Sequence, residues 1–472
     1  MRNRLGKSGA NAWSRALVSI GATALLAACS GHGGTASNSV MPDTTTQSKG
    51  LSPDVTVTDI YGGGSSLAAP TIRLWGDYYG VALPPDAQGA PNGLAVNPDY
   101  QYYYASVGSG AGQNAFLSQT SSTVAPSSSP EYCANGVTTC YPYPGWEFSA
   151  SDAIFTAEQT SCYDDGGECS STLTLPAAVE PVRGQYLELP ILDTDITFFY
   201  NPSGQTVPAG GLNLSRNTYC GIWEGTTTSW ADPTITADNG GVVVSNQNIT
   251  RVVRSDSSGS TDLVTNHLNT VCQNLANPAF DWTGGVGQTI TWPTGSPVDS
   301  GKGGSGVVSE VNSVAGSIGY VGPSYVAPVV SGGLPTINLQ NQYYFAKNSE
   351  TFITPTITST TAAFKGVAVG SNPDDPYDLG VLVPNPTGET AYPIVGNTWL
   401  LIYQCYPKSA QRTAVTDFVK WYATTTTSSG PTPADSILNA EGEAPITNTW
   451  KGDVKADMPD VYVGPKSGIC TT

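Results

Sequence analysis

ITRVVRSDSSGST, residues 249–261, is the stretch on which the fold turns. Its first half, 249–254, is rich in β-branched residues and reads as a short strand. Its second half is Ser, Asp and Gly, which open turns and cap helices. A helix-like segment over 260–275 follows. The same order recurs outward along the chain. Strands are expected over 55–60, 102–107, 196–200, 317–321 and 399–403, and helices over 67–79, 111–119, 306–313 and 410–424. In the last of these, Val415, Phe418, Val419 and Tyr422 fall on one helical face. Strands alternating with helices predict an α/β fold with parallel or mixed sheets. Two segments, about 118–148 and 159–185, read as loops, and each carries a cysteine pair. No internal repeat is visible.

Composition narrows the function. The 472 residues include 37 acidic and 19 basic ones, a net charge of −18. A nucleic-acid binder is disfavoured, because that binding rests on Lys and Arg neutralising phosphates. Only His32 and His267 are present. That is too little imidazole for a histidine-rich metal centre, and it leaves one histidine in the body for a triad. The charged fraction, 12%, is half the usual ~25%, and with abundant Ser, Thr, Tyr and Gly it reads as an exported chain.

Residues 1–29 have the parts of an export signal. Arg2, Arg4, Lys7 and Arg15 precede a weakly apolar run over 16–28, too short to span a bilayer. The run ends Leu26-Ala27-Ala28-Cys29, which resembles a bacterial lipobox, so Cys29 is the expected lipidation site. Ser30 would direct such a lipoprotein toward the outer membrane. Removing the signal would lower the charge from −18 to −22. Residues 30–54 read as a flexible Gly/Ser/Thr tether. Eight cysteines then remain, an even number that favours disulfides. Cys133/Cys140 and Cys162/Cys169 look like local staples, and Cys220–Cys272 and Cys405–Cys470 are the expected remaining pairs. A metal site is the competing reading, but no C-x-x-C occurs and no histidine lies nearby.

Three strand-to-helix junctions share one chemistry. They are Gly62-Gly63-Gly64-Ser65-Ser66-Leu67, Gly108-Ser109-Gly110-Ala111-Gly112 and Arg254-Ser255-Asp256-Ser257-Ser258-Gly259-Ser260. Free N–H groups at a helix start, with the helix dipole, make an anion site. Glycine permits close approach, serine adds hydroxyl donors and Arg254 adds a charged fork. Each loop alone reads first as an ordinary helix cap; three loops with one arginine shift the balance toward the anion. Gly301-Lys302-Gly303 lacks the spacing of a P-loop. Gly108 to Gly112 lacks that of a nucleophile elbow.

With these motifs in hand, the chain resembles the phosphate-binding, PstS-type solute-binding proteins of bacterial ABC transporters. The resemblance runs through GGGSSLAAP at 62–70, YASVGSGAG at 104–112, FSASDA at 148–153 and LSRNTYCGIWEGTTTSWADPTI at 214–235. It continues through ITRVVRSDSSGST at 249–261, GKGGSGVVSEVNSVAGSIGYV at 301–321 and YPIVGNTWLLIY at 392–403. It implies a two-lobed periplasmic-binding-protein-like fold of type II with two hinge crossovers. Lobe 1 would be 55–185 with 390–472, and lobe 2 would be 186–389.

The resemblance further implies that inorganic phosphate is held between the lobes, with no cofactor, no metal and no chemical step. Ser66 and Leu67 would offer a hydroxyl and N–H, and Ser109 a hydroxyl and N–H. Ser258, Gly259 and Ser260 would offer N–H groups. Arg254 would be the cationic partner, with Asp256 as its carboxylate neighbour, and Asp152 an acceptor facing the ligand. An ionised carboxylate only accepts hydrogen bonds, so Asp152 would suit protonated phosphate and oppose sulfate. Asp152 next to Ser151 is otherwise a helix N-cap. Ser66 and Ser260 stand where the family usually has threonines, Ser257 where it has glycine and Leu67 where an aromatic is frequent. An ABC permease is the implied partner. A surface phosphate scavenger or adhesin-like lipoprotein, and a phosphatase-like enzyme, are the alternatives. His267 reads as structural.

Overall fold

The computed structural model describes residues 57–83, 95–119, 145–326, 335–371 and 376–471. The expected signal, Cys29, the tether and the Cys133/Cys140 pair lie outside the described residues.

The first sheet contains β1 (Thr58–Gly64), β2 (Tyr100–Ser106), β3 (Phe148–Ser151) and β4 (Tyr186–Asp195), with β9 (Val395–Tyr403) from near the C-terminus. Its order is β2-β1-β3-β9-β4. β1 runs parallel to β2 and β3, with Gly64 registered against Ser106 and Ala150. β9 is antiparallel to both β3 and β4. The second sheet contains β5 (Thr197–Tyr200), β6 (Thr250–Arg254), β7 (Val298–Gly301) and β8 (Ser317–Val321), in the order β7-β6-β8-β5. Here β6 is parallel to β7 and β8, and β5 is antiparallel. The expected mixed α/β architecture is therefore present. Parallel strands force helical crossovers, and these put helices α1 (Ala69–Tyr79), α2 (Ser109–Ser118), α3 (Gly259–Val271) and α4 (Gly303–Ser313) directly after β1, β2, β6 and β7.

β4 was assigned to lobe 2 by a boundary at 185/186, yet it pairs along its length with β9 in the first sheet. The chain leaves that sheet at Ile196, between β4 and β5. On its return, Ile394 precedes β9, and the Ile196 N–H donates to the Ile394 carbonyl at 2.9 Å. Both passages thus run side by side.

Packing follows the expected helical face. Val415, Phe418, Val419 and Tyr422 are all buried on α5 (Ser409–Tyr422). The Tyr422 ring stacks on Trp75 of α1 with centroids 5.4 Å apart. Each such side chain contributes roughly 1.5–3 kcal/mol on burial. Disulfides join Cys162–Cys169, Cys220–Cys272 and Cys405–Cys470, the three expected pairs that fall within the described residues. The segment expected to be loop over 159–185 is more ordered than that. It holds most of the helix Ala157–Asp165 and a hairpin of Gly167–Ser170 with Leu173–Leu175. The helix opens on a capping box between Thr156 and Gln159. His267 is fully buried among structural partners. Its Nδ1 lies 2.7 Å from the Pro384 carbonyl, which can only accept, so Nδ1 carries the proton. Nε2 then accepts from the Tyr219 hydroxyl at 3.1 Å.

Candidate functional site

The three junctions converge because all of them follow carboxyl ends of parallel strands, where open α/β sheets place ligands. On the first sheet, Ser65 and Ser66 follow β1, Ser109 follows β2 and Asp152 follows β3. On the second, Ser258 and Gly259 follow β6, and Gly303 follows β7. Gly108 caps α2 at φ 93°, in the left-handed region. A Cβ there would lie 2.6 Å from Asp256 Oδ2. Gly259 shows the same closeness from the other side: a Cβ on it would lie 2.7 Å from both the Asp152 Cβ and Ser109 Oγ. The loops of the two sheets are therefore in contact, and Gly110 N donates to the Ser257 carbonyl at 3.4 Å. Tyr325, after β8, donates its hydroxyl to the Ser66 carbonyl.

Asp152 is buried and held from three directions. Ser65 Oγ and Thr398 Oγ1 donate to Oδ1 at 2.6 and 2.8 Å. Ser109 Oγ lies 3.4 Å from Oδ2 and accepts from the Asp152 N–H at 3.1 Å. Burial pushes the Asp152 carboxyl above its ordinary pKa, against the opposing pull of Ser65, Thr398, Arg254 and Ser109. Oδ1 is satisfied, and Oδ2 retains accepting capacity.

Arg254 sits at the end of β6 with its Nε donating to Asp256 Oδ1 at 2.8 Å and its Nη2 to Oδ2. Burial lowers the guanidinium pKa, but Asp256 outweighs it and leaves a net rise. Asp256 also accepts from the Gly303 N–H at 3.0 Å. One edge of the arginine fork is thus engaged by the carboxylate.

The donors that remain define what can bind. The Ser66 hydroxyl is buried without a hydrogen-bond partner. The N–H groups of Leu67, Ser109, Gly259 and Ser260 have no acceptor among the described residues. Unpaired buried donors are unfavourable by about 1–3 kcal/mol each, so the arrangement favours an oxyanion. Ser258 differs from expectation. Its N–H donates to the Gln288 carbonyl at 3.0 Å, because it caps α3 and its loop packs on 288. Its hydroxyl, which accepts from Thr261 N–H at 3.4 Å, is the group it can still offer. Leu67 packs its side chain against Gly322, where a Cβ would lie 2.5 Å from Leu67 Cγ. Ser65, Thr398 and Gly303 are not among the residues expected from the sequence to serve the site. Ser65 lies in the quoted Gly/Ser loop, whereas Thr398 is 246 residues from the carboxylate it holds. Among the described residues no group of three or more His, Cys, Asp or Glu is placed to hold a metal ion.

Two sheets that meet at the carboxyl ends of their strands, around hydroxyls, N–H groups and one arginine, define a two-lobed binding protein for an oxyanion. The chain belongs to the PBP superfamily, whose domain matches residues 33–426, and within it to the PstS family. It is 30% identical to Phosphate-binding protein PstS of Haemophilus influenzae over 257 residues, covering 53% of this chain and 68% of that protein. It is also 28% identical to a protein named Alkaline phosphatase L of Pseudomonas aeruginosa over 359 residues, covering 75% of this chain and 80% of that one. A phosphate-binding protein from Stenotrophomonas maltophilia shares the fold, with a TM-score of 0.59 at 23% identity over 85% of this chain and 94% of that structure.

Proposed function

We propose that this protein binds inorganic phosphate between its two lobes as the solute-binding component of phosphate uptake. The observation that carries the reading is the unpartnered Ser66 hydroxyl, buried next to Ser65, which holds Asp152, and facing Gly303 at the start of α4, whose N–H donates to the Arg254 partner Asp256. The residues given the anion are Ser66, Leu67, Ser109, Arg254, Ser258, Gly259 and Ser260, with Asp152 accepting the phosphate proton and Asp256 holding Arg254. Lobe 1 would comprise 55–195 with 395–472, and lobe 2 the residues between. The PstS relatives favour an exported chain with an ABC permease as partner, while Cys29 as the lipid-bearing residue rests on the Leu26-Ala27-Ala28-Cys29 run. No chemical step is assigned. The relative named Alkaline phosphatase L makes a phosphomonoester turnover assay with added metals the direct check on that point, with no turnover expected. Calorimetry near neutral pH tests the binding itself. Phosphate is expected to bind and sulfate to bind far more weakly. No heat from millimolar phosphate would remove the proposal.

A further inference from the structure

Hydrogen bonds that join the two halves away from the anion donors carry one more step, which rests on the phosphate reading. Gln113 lies on α2 and is buried. Its Nε2 donates to the Ala153 carbonyl at 2.8 Å, one residue beyond Asp152. That bond fixes which end of the amide is which. Oε1 therefore faces the other way, where it accepts from Gln288 Nε2 at 2.7 Å and from Gln159 Nε2 at 3.1 Å. Gln159 belongs to the same half as Gln113. Gln288 belongs to the other, in the segment between α3 and β7. The Gln288 carbonyl accepts the Ser258 N–H at 3.0 Å, and its Oε1 lies 3.4 Å from Ser257 Oγ. Gln288 thus grips the loop at the start of α3 with its backbone and the opposite half with its amide.

We propose that Gln113 and Gln288 form a closure latch that sets how fast the bound anion is released, without contacting it. The bond between them exists only with the halves together, so its free energy counts toward the closed state alone. The bond from Gln159 to the same oxygen survives opening. These are positioning residues, and the two donors to one acceptor provide a matched comparison.

Stopped-flow release of inorganic phosphate from the full chain tests this. Gln288→Ala is expected to raise the release rate by roughly three- to tenfold, with the association rate within about twofold. Gln159→Ala is expected to lower the melting temperature, because it removes a helix-capping partner, and to leave release within about twofold. An unchanged release rate in Gln288→Ala overturns the latch. An equal acceleration in both variants also overturns it, since packing alone would do that. Absence of phosphate binding by the unaltered chain tells against the phosphate reading, and small-angle scattering then judges the latch. A larger radius of gyration in Gln288→Ala than in the unaltered chain supports it, and identical radii overturn it.

Discussion

Asp152 illustrates how one atom can decide ligand choice. Its Oδ1 receives two hydroxyl protons, from Ser65 and Thr398, so the carboxylate has a fixed orientation and Oδ2 is the oxygen with capacity left. Asp152→Asn would keep the carbonyl oxygen where the two donors hold it and put the amide nitrogen at the Oδ2 position. An acceptor facing the anion becomes a donor. Phosphate then loses the partner for its proton, and sulfate loses its repulsion. The ratio of phosphate to sulfate affinity is expected to fall by at least tenfold, about 1.4 kcal/mol. Calorimetry on both anions measures it, and an unchanged ratio removes the role given to Asp152. The Arg254–Asp256 pair was legible through the resemblance to the PstS family, which implied it, and the bond is present in the structure. The role of Thr398 was not, because no local spacing reveals a partner brought in by an antiparallel neighbour. Ser65 and Ser66 show a finer limit. Both are serines in one loop, and only the backbone geometry decides that Ser65 holds Asp152 while Ser66 is left unpaired.

At the scale of elements, helix α3 does two jobs. Its first turn offers N–H groups to the site, and its far end is fixed through His267 to the Pro384 carbonyl and to Tyr219. Burial lowers the His267 pKa from 6.5 to about 3. The unfolded chain therefore binds a proton that the folded chain refuses between these values, and stability falls as pH drops from about 6.5 toward 3. Buried carboxyls act oppositely: Asp195, raised by burial to about 6, favours the folded state as pH falls through that value. Comparing a variant with its parent cancels those carboxyl contributions. His267→Gln is expected to be less stable than the parent at pH 8, by about 1–3 kcal/mol for the broken buried hydrogen bonds. The gap should narrow by about 2 kcal/mol at pH 5, because the variant has no imidazole to protonate. Denaturant unfolding at the two pH values measures both gaps, and a constant gap would show that His267 carries no proton linkage. The strand–loop–helix units were readable because strand and helix periodicities differ along the chain. The placement of β4 was harder. A Pro190 within a buried ten-residue strand argues against a central strand in sequence, and here β4 occupies the sheet edge, where proline is tolerated.

The whole molecule sets the electrostatic approach of the ligand. The chain has 37 acidic residues against 19 basic ones, and the site's one arginine is neutralised by Asp256, with Asp152 beside it. The long-range field therefore repels a phosphate anion, while the short-range donors, hydroxyls and N–H groups, bind it once it arrives. These two contributions respond differently to salt. At an ionic strength of about 0.01 M charges act across about 30 Å, and at 0.15 M across about 8 Å. Screening removes repulsion during approach but leaves buried hydrogen bonds almost untouched. The association rate of phosphate is accordingly expected to rise, by about two- to fivefold across that range, with the release rate nearly constant. Stopped-flow measurement with chloride as the screening salt separates the two rates. An association rate that falls with salt would mean that Arg254 dominates the field at the entrance, and that an acidic protein captures its anion by local attraction rather than despite its overall charge.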